Sequence, residues 1–257
     1  IAEGHAVTFA AGLAAAGLHP VFAVYSSFLQ RGFDQIVHDV CMQNLPVVFA
    51  IDRAGLVGAD GETHQGVFDL SFMGMIPNMI VLAPKNKWEL ADMLRFAFRQ
   101  NGPVAVRYPR GTVYDGLKEH RAPICGKSEW ICEEMQIAIF AVGNMVEEAV
   151  KVHEILHERG YDCSLINVRF VKPLDQETLL KAAKEHLLIV TMEENILRGG
   201  FGYAAAFLST ANENTKVLHF GIDDQFVPHG TVSQLHERIG LDAQSMAEKI
   251  IETYKTI

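Results

Sequence analysis

The sequence predicts an α/β protein of two tandem, mostly parallel sheets covered by helices, and three observations carry that reading. Short apolar runs alternate with segments of helical period along the chain, the order that builds βα units. The runs are continuous rather than alternating, as strands buried on both faces require. A stretch from Gly111 to Glu134 holds Gly111, Gly116, Pro123 and Gly126 without a sustained period and separates two such series, as a linker or an edge excursion does. The expected division is a first domain over 1–115, a linker over 116–134 and a second domain over 135–257.

In the first series, residues 3–17 are rich in alanine and other small residues, which suits a helix packed closely on a sheet. Pro20–Tyr25 then reads as a buried strand. Phe28 to Gln43 carries apolar residues at 29, 33, 36, 37, 40 and 41, a helical period. Strands are expected at 46–52, 79–83 and 103–108, with a helix over 87–99 between the last two. The second series opens with a strand over 136–142, followed by a helix at 145–158, a strand at 163–168, a helix at 176–185 and a strand at 187–192. Leu197–Gly202 leads into a helix, 217–221 is a further strand, and 241–256 is a closing helix. Glycines 199, 200 and 202 stand where a helix start can cradle a phosphate. The G-x-G-x-x-G pattern is incomplete and Arg198 is the one basic neighbour, so they read as a structural helix start.

Composition bounds the function. The 257 residues are 49% hydrophobic and 21% charged, as in ordinary globular chains. A formal net charge of −9 argues against nucleic-acid and membrane-surface partners, which call for a basic face. Cys41, Cys125, Cys132 and Cys163 form no C-x-x-C pair and no metal-ligand cluster in sequence, so they read as small buried apolar residues in a reducing, cytoplasmic setting. No apolar stretch is long enough to span a bilayer, and the first residues lack the charged start of a signal peptide.

The most informative segment is Ile51–Gly66, Ile-Asp-Arg-Ala-Gly-Leu-Val-Gly-Ala-Asp-Gly-Glu-Thr-His-Gln-Gly. It places Arg53, Asp60 and His64 in a glycine-rich loop directly after an apolar strand, where α/β proteins bind ligands. Tyr25-Ser-Ser-Phe28 and Arg31 follow the first strand, and Arg107-Tyr-Pro-Arg110 ends another. Three strands thus deliver arginines and aromatics to one rim, suited to a phosphorylated or acidic small molecule. Glu3, at the head of an apolar helix, reads from position alone as a partner of the helix dipole.

Residues 1–12 (Ile-Ala-Glu-Gly-His-Ala-Val-Thr-Phe-Ala-Ala-Gly), 25–31, 34–39, 51–66 with 68–70, and 106–111 resemble the pyrimidine-binding domain of the 1-deoxy-D-xylulose-5-phosphate synthases, transketolase-like enzymes that use thiamine diphosphate. Val168-Arg-Phe-Val-Lys-Pro-Leu-Asp175 and Glu193-Glu-Asn195 resemble the carboxyl-terminal domain of the same family. The resemblance implies condensation of pyruvate with glyceraldehyde 3-phosphate and release of carbon dioxide. It implies that Glu3 is the cofactor-activating glutamate, that Phe28 stacks on the aminopyrimidine and that Arg31 lies in the same pocket. Tyr25, Arg53 and Arg110 then match residues gripping the substrate phosphate, and Asp60 and His64 match polar groups near the reacting carbons, with His64 suited to proton transfer.

Two departures stand out. Gly4 occupies the place of a family glutamine, and the Gly-Asp-Gly…Asn set that holds magnesium and diphosphate is not found. The resemblance therefore places the magnesium ligands on an amino-terminal domain missing from this chain, leaves the chain itself with no metal ligands, and implies a partial enzyme that associates as a homodimer. Two other readings remain: the beta subunit of a pyruvate dehydrogenase-type complex, and a non-catalytic assembly module.

Overall fold

The computed structural model describes residues 1–111, 114–209 and 215–257. Thr112 and Val113, within the expected first domain, lie outside the described residues.

The first half runs α1 (Glu3–Ala15), β1 (Val21–Tyr25), α2 (Ser26–Leu29), α3 (Phe33–Gln35), β2 (Val48–Asp52), α4 (Asp69–Gly74), β3 (Ile80–Leu82), α5 (Lys87–Ala97) and β4 (Val104–Arg107). The second half runs β5 (Glu129–Cys132), β6 (Ile137–Ala141), α6 (Met145–Glu158), β7 (Cys163–Asn167), β8 (Phe170–Lys172), α7 (Gln176–Glu185), β9 (Leu188–Ile196), α8 (Phe201–Ser209), β10 (Lys216–Ile222), α9 (Val232–Ile239) and α10 (Ala243–Tyr254). Two five-stranded sheets result, ordered β1-β2-β4-β3-β8 and β10-β9-β6-β7-β5. Within each, four strands are parallel and one edge strand, β8 or β5, is antiparallel. The predicted fold class is the one observed, and helices α6 and α7 fall on their expected bounds.

Local differences have physical causes. The expected helix over 28–43 is broken into α2, a 3₁₀ turn at Gln30–Gly32, α3 and a π-helical turn over Ile36–Cys41. Gly32 brings this segment against α1, since a Cβ there would stand 3.0 Å from Val7 Cγ2. Ile36, Val40 and Cys41 remain buried, so the apolar period survives although the winding changes. Residues 129–132, in the stretch read as linker, form β5 on the edge of the second sheet. The three-residue β8 leaves the second half and joins the first sheet, pairing Lys172 with Val81 and Phe170 with Leu82. Both edge strands are too short for a periodic signal. Among the cysteines, Cys41 and Cys163 are buried as expected, but Cys125 is exposed in the irregular stretch and Cys132 is half-buried on β5.

A continuous apolar core crosses between the halves. Val7, Leu29, Phe49 and Ile51 belong to the same cluster as Phe140, Ile166, Ile189 and Phe201. Each such side chain, fully buried, contributes about 1.5–3 kcal/mol from its removal from water.

A buried charged cluster spans the same junction. Glu89, on α5 and fully buried, accepts from Arg169 Nε at 2.6 Å and from Asn167 Nδ2 at 3.0 and 3.1 Å. Lys85 Nζ lies 3.5 Å from Glu89 and pairs with Glu129, which also lies 3.1 Å from Arg169 Nη2. Two carboxylates thus face two cations away from water, and removing one partner leaves an uncompensated buried charge. Glu89→Ala is expected to lower stability by about 3 kcal/mol or more, read as a shift of the urea midpoint, whereas Lys87→Ala on the exposed face of α5 should change it by no more than about 1 kcal/mol.

Candidate active site at the carboxyl ends of the first sheet

Strands β1, β2 and β4 run parallel with Tyr25 opposite Asp52 and Ile51 opposite Arg107, so the segments that follow them emerge side by side. Tyr25 is the last residue of β1, Arg53 follows β2, and Arg110 lies just beyond β4. Arg53 has φ +58°, uncommon for a side-chain-bearing residue. Its conformation is held by Asp52, which accepts from the Arg53 backbone N–H and from Nη1, each at 2.6 Å. Gly55 and Gly66 exchange both backbone hydrogen bonds at 2.7 and 2.8 Å and close the loop. Between them, 3₁₀ turns at Gly58–Asp60 and Glu62–His64 present Asp60 and His64.

The structure brings all eight residues singled out from the sequence into one run of contacts. Arg31 Nη1 lies 3.2 Å from Glu3 Oε1, and its guanidinium carbon lies 5.0 Å from the centre of the Phe28 ring. Phe28 stacks with Tyr25 at 5.2 Å and meets His64 edge-on at 5.3 Å. The Arg53 guanidinium sits over the Tyr25 ring at 3.8 Å, a cation–π geometry. Asp60 Oδ2 is shared by Arg53 Nε at 3.3 Å and Arg110 Nε at 3.1 Å. Two guanidiniums therefore converge on a single oxygen atom. His64 Nδ1 is 2.9 Å from Thr63 Oγ1, which leaves Nε2 without that engagement.

The Glu3 end is rich in buried polar atoms that lack partners. Ser26 Oγ, Ser27 Oγ and Gln35 Oε1 have none among the described residues, and Glu3 Oε2 has no hydrogen-bond partner apart from the Ile1 amino group 2.9 Å away. A Cβ at Gly4 would stand 3.0 Å from Gln35 Oε1, the end of a flexible side chain, so the fold does not by itself require glycine there.

Four residues outside the sequence-derived set hold the loop in place. Glu194, near the end of β9, accepts from the Leu56 N–H at 3.1 Å and pairs with His236 on α9. Burial disfavours both charged forms, yet mutual pairing prevails, lowering the Glu194 pKa and raising that of His236. Arg107, also buried, bonds Asp69 Oδ2 at 2.9 Å and the Glu194 carbonyl at 3.3 Å. The available signal was the run Glu193-Glu194-Asn195 continuing an apolar strand, since charges in such a position require internal partners. Glu193 itself accepts from the N–H groups of Phe201 at 2.9 Å and Gly202 at 2.8 Å. The anion at this helix start is thus a side-chain carboxylate, and burial pushes its pKa up to about 7.

A loop that gathers arginines, aromatics and a histidine at the carboxyl ends of a parallel sheet, with a second α/β unit packed behind it, stands in an α/β fold at the place where such proteins bind ligands. The family model of the transketolase pyrimidine-binding domain matches residues 1–115, and that of the transketolase C-terminal domain matches residues 126–246. The chain belongs to the transketolase family. It is 54% identical over 253 residues to a 1-deoxy-D-xylulose-5-phosphate synthase of Lachnoclostridium phytofermentans and 51% identical over 253 residues to that of Clostridium tetani, covering 97% and 98% of this chain. The chain spans 40% and 41% of the length of these curated relatives. Among solved structures it resembles a split-gene transketolase, described as an inactive beta4 tetramer, at 27% identity and a TM-score of 0.92 over 99% of this chain and 82% of that one. The transketolase of Campylobacter jejuni shares the fold, with a TM-score of 0.80 at 17% identity over 97% of this chain and 38% of that one. Among the described residues no helix is long and apolar enough to cross a membrane.

Gly55 ties the loop to its support. Its φ is +81°, and a Cβ would stand 2.0 Å from Glu194 Oε2. Gly55→Ala is expected to cost about 2 kcal/mol or more through backbone strain and displacement of Glu194, seen in the thermal midpoint. Gly12→Ala, in α1 with nothing within 4 Å of the new methyl, should stabilise by up to about 1 kcal/mol.

Proposed function

We propose that this chain supplies the aminopyrimidine-binding and substrate-phosphate part of a thiamine-diphosphate-dependent transferase of two-carbon units, and that the reaction condenses pyruvate with glyceraldehyde 3-phosphate to 1-deoxy-D-xylulose 5-phosphate with release of carbon dioxide. The observation that carries this reading is the unbroken run of contacts from Glu3 to Arg110. One end offers a carboxylate, an aromatic face and unpaired buried oxygens, which fit a flat, nitrogen-rich ring. The other end offers two guanidiniums within reach of one oxygen, which fits a phosphate,. The likeness to the clostridial synthases supports the particular substrates.

When bound, thiamine diphosphate supplies the nucleophilic carbon and the electron sink that such chemistry needs. Glu3 would hold a proton between its carboxylate and the N1′ atom of the aminopyrimidine, and its enclosed position makes that single hydrogen bond effective in changing the ring's proton affinity. Phe28 would pack against the ring, and Arg31 would fix both Phe28 and Glu3. His64 Nε2 would pass a proton to or from the substrate oxygen, with Nδ1 oriented by Thr63,. Tyr25 positions Arg53 through its ring face, and Arg53 and Arg110 would exchange the shared Asp60 oxygen for phosphate oxygens. Asp60 thereby keeps the two cations poised near the reacting carbons.

Magnesium and its oxygen ligands are proposed to come from a separate diphosphate-binding domain. Among the described residues, groups of three or more metal-ligating side chains occur only around Glu134, away from this site. The split-gene transketolase chain, described as inactive in its beta4 form, supports a division of the site between chains or domains. Association of this chain as a homodimer belongs to the same proposal, as does a cytoplasmic setting, in keeping with four free thiols.

The test is assembly of the chain with a diphosphate-binding domain, followed by measurement of pyruvate decarboxylation and of deuterium exchange at the cofactor thiazolium. Glu3→Gln is expected to lower both by about 100-fold or more while the circular dichroism spectrum is unchanged; near-normal exchange in that variant would refute the role of Glu3. Arg53→Ala and Arg110→Ala should each weaken glyceraldehyde 3-phosphate by about 1.5–3 kcal/mol and leave pyruvate nearly unaffected. Equal losses for both substrates would show that the arginines do not read the phosphate.

A further inference from the structure

A second group of reactive side chains lies at the other end of the second sheet. Cys132, the last residue of β5, places Sγ 3.4 Å from His153 Nε2 on α6. Glu134 Oε2 lies 3.6 Å from the same nitrogen. The sulfur, a carboxylate oxygen and the imidazole nitrogen all fall within 4.8 Å of one another. Ligand bonds of about 2.0–2.3 Å around a tetrahedral zinc ion place adjacent donors about 3.3–3.6 Å apart, so the two measured edges already have the spacing of a metal site.

Independent features converge there. Glu134 is anchored twice, its backbone N–H donating to Ser164 Oγ at 2.9 Å and its Oε2 accepting from the Cys163 N–H at 2.9 Å. His157 follows His153 by one helical turn, with ring centres 5.9 Å apart. Glu134, His157 and Asp162 make a second close-set triad that shares Glu134 with the first. Cys132, Glu134 and His153 are each partly open to solvent, so an ion can reach them. The group sits beside Cys163 at the start of β7, whereas Glu194 and the loop it holds lie toward the end of β9. Both strands run parallel to β6, which separates this group from the candidate active site by the length of the sheet.

We propose that Cys132, Glu134 and His153 form a binding site for a zinc ion, with the fourth position open to water. Thiolate, imidazole and carboxylate together select zinc over magnesium or calcium. Binding releases the Cys132 proton and joins the edge strand β5, which ends the irregular stretch, to α6. The sequence hides the site because its three ligands come from β5, the segment after it and a helix, with no short motif among them.

The test uses the 257-residue chain, reduced with a phosphine, stripped with a chelator and titrated with cobalt(II) and then zinc(II). A single equivalent of cobalt is expected to give a thiolate-to-metal charge-transfer band in the near ultraviolet, zinc should abolish that band, and zinc should raise the thermal midpoint. Cys132→Ser should remove the band, and Glu134→Gln and His153→Gln should weaken zinc by roughly tenfold or more, with circular dichroism confirming the fold. Cys163→Ser should retain the band. Absence of saturable binding would overturn the proposal. So would a band that persists in Cys132→Ser, or binding lost in His157→Gln but kept in His153→Gln.

Discussion

The Glu194 carboxylate is the interaction on which the site loop depends. It belongs to the second sheet, yet one of its oxygens takes the Leu56 N–H of the first half and the other takes His236 of α9. A backbone N–H buried without an acceptor costs about 1–3 kcal/mol, so the loop conformation and the carboxylate require each other. Gly55 follows from the same contact, because only a residue without a Cβ leaves room for Glu194. Gln65 adds a second tie, accepting from the Val57 N–H at 2.9 Å and donating to the Pro228 carbonyl at 3.2 Å. The loop is thus positioned from behind by the other half of the chain.

The charges of this support compensate one another. The Glu194–His236 pair is stable because each group offsets the desolvation of the other. The lowered Glu194 pKa means that its stabilising share is present above the ordinary glutamate range and is lost as pH falls through the depressed value,. The raised His236 pKa gives the opposite limit: its share is full below the ordinary histidine range and is lost as pH rises through the raised value,. Between these limits the support is intact. Arg107 and Asp69 form another closed pair beneath the rim. By contrast, Arg110 is 43% exposed at its side chain and meets Asp60 at the surface, where ion pairs are weak. The Asp60 pairing at the rim is therefore weaker than the buried pairs behind it.

The sequence by itself determined the alternation of strands and helices, the two parallel sheets and the rim carrying Tyr25, Phe28, Arg31, Arg53, Asp60, His64 and Arg110. Those features are local: continuous apolar runs mark buried parallel strands, and side chains just after such strands must emerge at their carboxyl ends. Helices α6 and α7 were legible because their apolar period ends at clear breaks, Gly143–Asn144 before one and Gly160 after it, and Asp175 as the cap of the other, accepting from the Thr178 N–H. A cofactor-facing role for Glu3 was not legible from position, since a carboxylate at a helix start serves the helix dipole equally well; only the resemblance implies one.

Only the tertiary structure decided which polar groups meet across long separations. Glu194 reaches Leu56 at a sequence separation of 138, Glu89 meets Arg169 at a separation of 80, and β8 crosses from one half to complete the sheet of the other. Cys132, Glu134 and His153 converge only because β5 pairs with β7 while α6 packs on the same sheet. Periodicity records which face of an element is apolar, but a buried charge chooses its partner by distance and geometry in the folded chain. That choice is fixed by the packing of elements far apart in sequence, which no local pattern encodes.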